Sequence, residues 1–203
     1  MPTELILIRH GEVDTNLFRK VIGYKDPPLN KKGYLSAERA ARYLQFEGNI
    51  SAIYSSPLQR AQNTANIIAS LIGLTTVIEI SLREWDYQRN IRVFDRFLYL
   101  CTYQLSQIPS YYLWALKARA RNSSLHSFEQ DVSNVVEKIT FTHPDKKIVI
   151  VSHWGTINAI LTYFFPNPET WRHGSIRNCS ITKLNLDNGR VRLKTFNNVQ
   201  HLL

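Results

Sequence analysis

The sequence predicts an α/β fold: a three-layer sandwich with a mostly parallel central sheet flanked by helices, plus an inserted helical cap. Strand-like and helix-like segments alternate along the 203 residues. Residues 5–8 and 147–151 are apolar without alternation, as expected for strands that are buried on both faces. A hydrophobic content of 44% with 20% charged residues is typical of a globular chain, and the length suits one core. We therefore expect residues 1–203 to form one domain.

The N-terminal part predicts three strands and two helices. Short apolar or β-branched runs predict strands over residues 5–8, 52–54 and 77–80. Apolar residues at helical spacing predict one helix that begins near Lys32, behind the capping residue Asn30, and another over residues 61–72.

The C-terminal part predicts a strand, a helix and a hairpin. The strand over residues 147–151 leads into a helix over 156–165, which ends before Pro166. Two further strands, 181–186 and 191–196, flank Asp187-Asn188-Gly189, a sequence typical of hairpin turns.

Residues 87–125 depart from this pattern. They are dense in aromatic side chains and arginines, and Pro109 divides them into two helical halves. We interpret them as an inserted helical cap over the edge of the sheet.

Composition limits the function classes. The net charge of +9 favours an anionic ligand, but no nucleic-acid-binding motif accompanies it. No apolar run approaches the roughly 20 residues of a membrane span, and no secretory leader is apparent. Cys101 and Cys179 fit neither a disulfide framework nor a zinc site, which favours a reducing cytoplasm. We expect no nucleic acid or membrane partner, no metal and no cofactor; the oligomeric state stays open, with a homodimer as one option.

Two histidines lie where predicted strands end. In Arg9-His10-Gly11-Glu12, Gly11 allows the backbone to turn sharply and approach a ligand. In Ser152-His153-Trp154-Gly155, a strand passes into a helix whose N-terminus favours anions. Ligands of open α/β sheets collect beyond the carboxyl ends of the strands, so both segments are candidate site elements.

A third strand-to-helix junction carries an arginine. It has the sequence Ser55-Ser56-Pro57-Leu58-Gln59-Arg60-Ala61, with Pro57 suited to the first helical turn. A guanidinium binds phosphate in a bidentate, planar manner that lysine cannot reproduce. Arg60 is therefore a candidate phosphate ligand.

These motifs, taken in order, resemble the histidine phosphatase superfamily in its phosphoglycerate-mutase-like branch. The resemblance covers residues 3–86 and 126–203 and includes Pro28-Leu29-Asn30 with Gly33, Leu82-Arg83-Glu84, and a tail from Asn178 to Arg190. It implies a small phosphorylated substrate and a covalent phosphohistidine step.

The resemblance also implies roles for individual residues. His10 would be the nucleophile, while Arg9, Arg60 and a cationic His153 would hold the phosphoryl oxygens. Asn16 and the backbone of Gly155 would add contacts to the substrate. Glu84 would protonate the leaving oxygen and later activate water, with Asp86 as an alternative acid.

The sequence departs from the family pattern at four places. Val13 replaces a hydroxyl residue, residues 85–90 replace a glycine-rich stretch, Trp154 replaces a small residue, and residues 122–125 keep little of the motif that opens the later helix. We expect catalysis with altered specificity. Three alternatives stay open: a phosphoglycerate-type mutase, a catalytically weak phosphate-binding protein, and a metal site at the two histidines, which lacks suitably spaced carboxylate or cysteine ligands.

Overall fold

The computed structural model describes residues 2–14, 26–85, 123–166 and 176–203. Its strands are β1 (Thr3–Arg9), β2 (Ile50–Ser55), β3 (Thr76–Ile78), β4 (Lys147–Ser152), β5 (Ile181–Asp187) and β6 (Arg190–Asn198). Its helices are α1 (Lys31–Glu47), α2 (Gln59–Ile72), α3 (Ser123–Thr142) and α4 (Trp154–Phe164), with 3-10 turns at Ile80–Leu82 and Gln200–Leu202. The cap predicted over residues 87–125 lies outside the described residues except for its last three, which belong to α3.

The strands form one sheet in the order β3-β2-β4-β1-β5-β6. Strands β1 to β4 run parallel to one another, and β5 pairs antiparallel with both of its neighbours, β1 and the edge strand β6. The prediction of a mostly parallel sheet is thus confirmed. Strand β4 is inserted between β1 and β2, although it begins 138 residues after the end of β1 and 92 residues after the end of β2.

Both faces of the sheet are covered, which explains the apolar runs without alternation. Leu5 and Leu7 of β1 enter an apolar cluster with α3 and α4, whereas Ile6 and Ile8 enter a second cluster with α1 and α2. All four side chains are completely buried. The three layers predicted from the sequence are therefore present.

Most predicted elements are found, with differences at their ends. Asn30 caps α1, because its side chain accepts a hydrogen bond from the Gly33 amide at 2.8 Å. Helix α4 begins at Trp154, two residues earlier than predicted. Pro57 precedes α2 instead of lying in its first turn. Strand β3 ends at Ile78, because Glu79 accepts a hydrogen bond from the Ser81 amide and so caps the following 3-10 turn.

Two glycines allow the end of β1 to pack against the start of α1. A Cβ on Gly11 would lie 2.7 Å from the Gly33 carbonyl oxygen, and a Cβ on Gly33 would overlap the Glu12 carbonyl oxygen. Backbone atoms cannot move aside as a side-chain tip can. This contact fixes the turn that follows His10.

No helix within the described residues is long and apolar enough to cross a membrane.

We predict that Gly33→Ala destabilises the protein by about 1–3 kcal/mol, because the new methyl group meets the Glu12 backbone. Helix propensity alone predicts the opposite sign, since alanine is favoured over glycine by about 1 kcal/mol within a helix. Urea unfolding distinguishes the two, with Lys31→Ala in the exposed first turn of α1 as the matched control. Unchanged or increased stability would contradict the close contact.

Candidate functional site

The carboxyl ends of β1, β4 and β2 lie level at one edge of the sheet. Arg9 is in register with Ser152, and Ser55 with Val151. Beyond these pairs, the His10 amide donates to the Ser152 carbonyl at 2.9 Å. The three predicted junctions are therefore brought together, and the ring centroids of His10 and His153 lie 5.1 Å apart with their planes at 56°.

The His10 ring is buried and held at one nitrogen by the backbone. Its Nδ1 lies 2.7 Å from the carbonyl oxygen of Gly11, to which it can only donate. The Asn178 amide donates to the carbonyl oxygens of His10 (2.8 Å) and Gly11 (3.2 Å), and so fixes this backbone. Burial lowers the pKa of His10 well below its ordinary value, and Arg9 and Arg60 act in the same direction. His10 is thus neutral, with its lone pair on Nε2.

Arg60 contacts that lone pair. Its side chain is only 1% exposed, and its Nε donates to His10 Nε2 at 3.3 Å. On its other side, one guanidinium nitrogen lies 3.6 Å from Asp26 Oδ1, while Asp26 Oδ2 accepts from the Gln59 amide at 2.7 Å. Burial lowers the pKa of Arg60, with Glu84 and Asp26 opposing the shift. Asp26 therefore connects Arg60 to the start of α2.

Arg9 supplies a second buried cation. One of its terminal nitrogens donates to the Ile176 carbonyl at 2.6 Å, and its Nε has no hydrogen-bond partner within the described residues. Burial lowers the pKa of Arg9 to about 10, Glu84 opposes the shift, and Arg60 adds to it. A guanidinium with that pKa is still charged at neutral pH, so the site holds two cations side by side.

His153 is completely buried and is held by a serine. Its Nε2 lies 2.7 Å from Ser56 Oγ, and its Nδ1 has no partner among the described residues. Burial lowers the pKa of His153 well below its ordinary value, and His10, Arg60 and Arg9 act in the same direction. In the protein without a bound phosphoryl group, neighbouring cations and desolvation both disfavour the proton on His153; a cationic His153 opposite a bound phosphoryl group stays a prediction.

Glu84 brings a carboxyl group to the same cations. Its oxygens accept from the amides of Trp85 (3.0 Å) and Gly155 (3.2 Å). Burial raises the pKa of Glu84, although these amides and the two arginines oppose the shift. The segment before it is anchored on β4 and α4, since Ser152 Oγ donates to the Leu82 carbonyl at 2.7 Å.

The remaining predicted residues have different outcomes. Asn16 and Asp86 lie outside the described residues. The Gly155 amide, expected at the substrate, is engaged by Glu84, whose carboxylate occupies the space that a Cβ would fill. Val13 is completely buried, and Trp154 packs against the core.

Three contacting residues had no role assigned from the sequence: Ser56, Asn178 and Asp26. Ser56 and Asn178 lie within the motifs quoted for the resemblance, and that position is the signal that could have identified them. Asp26 lies two residues before Pro28-Leu29-Asn30.

Glu12 contacts Asn30 (3.1 Å) and Lys32 (3.4 Å), so it holds the start of α1.

Comparison with known proteins agrees with this geometry. Residues 5–199 match the family model of the histidine phosphatase superfamily (branch 1). Phosphoglycerate mutase-like protein 4 of Arabidopsis thaliana is 31% identical over 212 residues, covering 98% of this chain and 86% of that protein. The metal-independent phosphoserine phosphatase of the same plant is 26% identical over 206 residues, covering 98% and 83%.

Among solved structures, a mutant phosphoserine phosphatase from Entamoeba histolytica in complex with phosphoserine is similar, with a TM-score of 0.76 and 27% identity. The alignment covers 99% of this chain and all of that one. The resemblance inferred from the motifs is confirmed.

We predict that stability falls as the pH drops below about 6.5, the ordinary pKa of histidine. The lowered pKa values of His10 and His153 mean that the unfolded chain takes up protons in this range while the folded protein does not. Each such histidine contributes up to about 1.4 kcal/mol per pH unit. Urea unfolding between pH 7 and 5.5 should show a shallower fall for His10→Ala than for the wild type, and equal slopes would contradict the neutral His10.

Proposed function

The chain belongs to the histidine phosphatase superfamily, and we propose that it hydrolyses small phosphomonoesters without a metal, with His10 as the nucleophile. It is a phosphoric monoester hydrolase of the histidine phosphatase type. One observation carries the assignment of His10: its Nδ1 is tied to the Gly11 carbonyl, so its Nε2 holds the lone pair, which accepts a hydrogen bond from the buried Arg60 side chain. In the proposed reaction Arg60 gives up this hydrogen bond and binds the phosphoryl oxygens, which leaves Nε2 open to phosphorus. A neutral imidazole with a free nitrogen is what nucleophilic attack requires.

The reaction then proceeds in two displacements at phosphorus. In the first, His10 Nε2 forms a bond to phosphorus, the bond from phosphorus to the leaving oxygen breaks, and Glu84 gives its proton to that oxygen. In the second, Glu84 takes a proton from water, the water oxygen bonds to phosphorus, and the P–N bond breaks. Inorganic phosphate leaves, and His10 and the protonated Glu84 are restored.

Arg9, Arg60 and His153 bind the phosphoryl oxygens in this proposal. The two arginines are already buried beside His10, so they need little reorganisation as charge shifts in the transition state. Each well-placed donor is worth about 3 kcal/mol at the barrier. Arg9 Nε has no partner in the part of the chain that the structure describes, which supports a ligand at this position.

Glu84 is the proposed general acid, and Gly155 holds it in place. An acid must carry a proton at working pH, and the burial that raises the pKa of Glu84 favours this. A phosphoryl dianion nearby would raise that pKa further. We reassign Gly155 from binding substrate to holding Glu84, because its amide and its lack of a side chain both accommodate the carboxylate.

The substrate we propose is a small phosphorylated acid. Relatives act on phosphoserine or bind 3-phosphoglyceric acid, and the net charge of +9 suits such anions.

We further propose a cytoplasmic location, which the low cysteine content supports. A phosphoglycerate-type mutase is the competing function; it would need a bisphosphorylated primer, so phosphate release without primer distinguishes the two.

We predict that His10→Ala abolishes acid-labile phosphate labelling and lowers turnover by about 10³-fold or more. Rapid quenching with a ³²P-labelled substrate measures the label, and thermal unfolding checks the fold, because His10 is buried. His143→Ala is the matched control, since His143 precedes β4 at the other edge of the sheet and bonds to Tyr54. Persistent labelling of His10→Ala would end the assignment.

We predict that Glu84→Gln slows alkyl phosphates by about 10²–10⁴-fold and aryl phosphates with good leaving groups far less. Loss of the acid matters most when the leaving oxygen is basic. The wild-type rate for alkyl phosphates should also decline as the pH rises through the raised pKa of Glu84, and the variant should lose this limb. Asp86→Asn serves as the comparison, and a leaving-group effect confined to that variant would move the assignment to Asp86.

A further inference from the structure

We propose that Ser56 sets the proton of a neutral His153 on Nδ1, so that His153 binds the phosphoryl group as a hydrogen-bond donor without being a cation. The proposal rests on the proposed function for the identity of the ligand. The contacts that carry it belong to the protein alone.

Hydrogen-bond counting at Ser56 determines the direction of its bond to His153. A serine hydroxyl has one proton and two lone pairs. Ser56 Oγ already accepts from the Leu58 amide at 3.2 Å, and its second close contact is His153 Nε2 at 2.7 Å. Both side chains are completely buried, so neither hydroxyl nor ring is exposed to bulk solvent.

Of the two tautomers of a neutral His153, one leaves more buried groups unsatisfied. If Nε2 carried the proton, it would donate to Ser56, and the Ser56 proton would have no acceptor among the described residues. His153 Nδ1 would then also keep an unmet lone pair. If Ser56 donates to Nε2 instead, the Nδ1 proton is the one group of this pair left without a partner among the described residues. The second arrangement is favoured, because each unsatisfied buried group costs free energy.

Both histidines then carry their proton on Nδ1, but they offer different ring nitrogens to a ligand. His10 donates its Nδ1 proton to the Gly11 carbonyl and leaves a lone pair on Nε2, beside Arg60. His153 receives a proton from Ser56 at Nε2 and leaves a donor on Nδ1. With the rings 5.1 Å apart, one supplies the attacking lone pair and the other a hydrogen bond to the group under attack.

A neutral donor also resolves the electrostatic conflict of this site. A third cation beside Arg9 and Arg60 is disfavoured by burial and by both guanidiniums. An Nδ1–H donor binds an oxygen anion without adding that charge. The opposite tautomer would turn a lone pair toward any acceptor at Nδ1 and repel it.

The test compares Ser56→Ala with Ser55→Ala. Ser55 is the matched control, since it is equally buried in the same segment but its hydroxyl donates to the Ser56 carbonyl at 3.0 Å instead of to a histidine. Two measurements are made at neutral pH: ¹⁵N NMR of the His153 ring without added ligand, and inhibition by orthovanadate. Thermal unfolding establishes that both variants fold.

We expect the wild type and Ser55→Ala to carry the His153 proton on Nδ1. Ser56→Ala should lose that preference and bind vanadate about tenfold more weakly, corresponding to the loss of one hydrogen bond. A proton on Nε2, or on both nitrogens, in the wild type would overturn the proposal, as would unchanged tautomer and inhibition in Ser56→Ala. A failure of the proposed function is recognised separately, as missing phosphohistidine at His10 while the NMR result stands.

Discussion

Parallel pairing of β1 with β4 sets Arg9 level with Ser152, and every other contact of the site depends on that register. Each strand places a histidine immediately after its last paired residue, so the two rings meet beyond the sheet edge. A slip of one residue would exchange the two faces of β1, so that Ile6 and Ile8 would face α3 and α4 instead of α1 and α2. Because both faces are apolar and fully packed, the core enforces the alignment that the chemistry needs.

The charge distribution around this alignment is unusual for a protein interior. Two guanidiniums are buried together, and the carboxylates that act on them are Glu84 and Asp26. Removing one partner of a buried ion pair generally lowers the stability of a protein by several kcal/mol. Loss of Glu84 or Asp26 would therefore leave a buried guanidinium with less compensation for its charge. A phosphoryl dianion complements the excess positive charge, so a phosphoryl group bound here would also stabilise the folded protein.

The sequence predicted the layers, the sheet and the positions of His10, His153, Arg60 and Glu84, because strand ends and helix starts follow from local patterns. It did not predict the hydrogen bonds that Ser56 and Asn178 form with the site, because their partners lie 97 and 168 residues away along the chain. The role of a hydroxyl or amide side chain depends on which groups it forms hydrogen bonds with in the folded protein. The lowered pKa of His153 could not be predicted for the same reason: a pKa depends on the groups that the fold packs around the ring. The cap and Asn16 are outside the described residues.

Strand β4 lies within the sheet between β1 and β2, yet it is synthesised after both of them. Until residues 147–152 have been synthesised, β1 and β2 have no common neighbour, and the backbone N–H and C=O groups that later pair with β4 are without these partners. A nascent chain that ends before β4 therefore contains His10, Arg60 and Glu84 but lacks both His153 and the strand that joins β1 to β2.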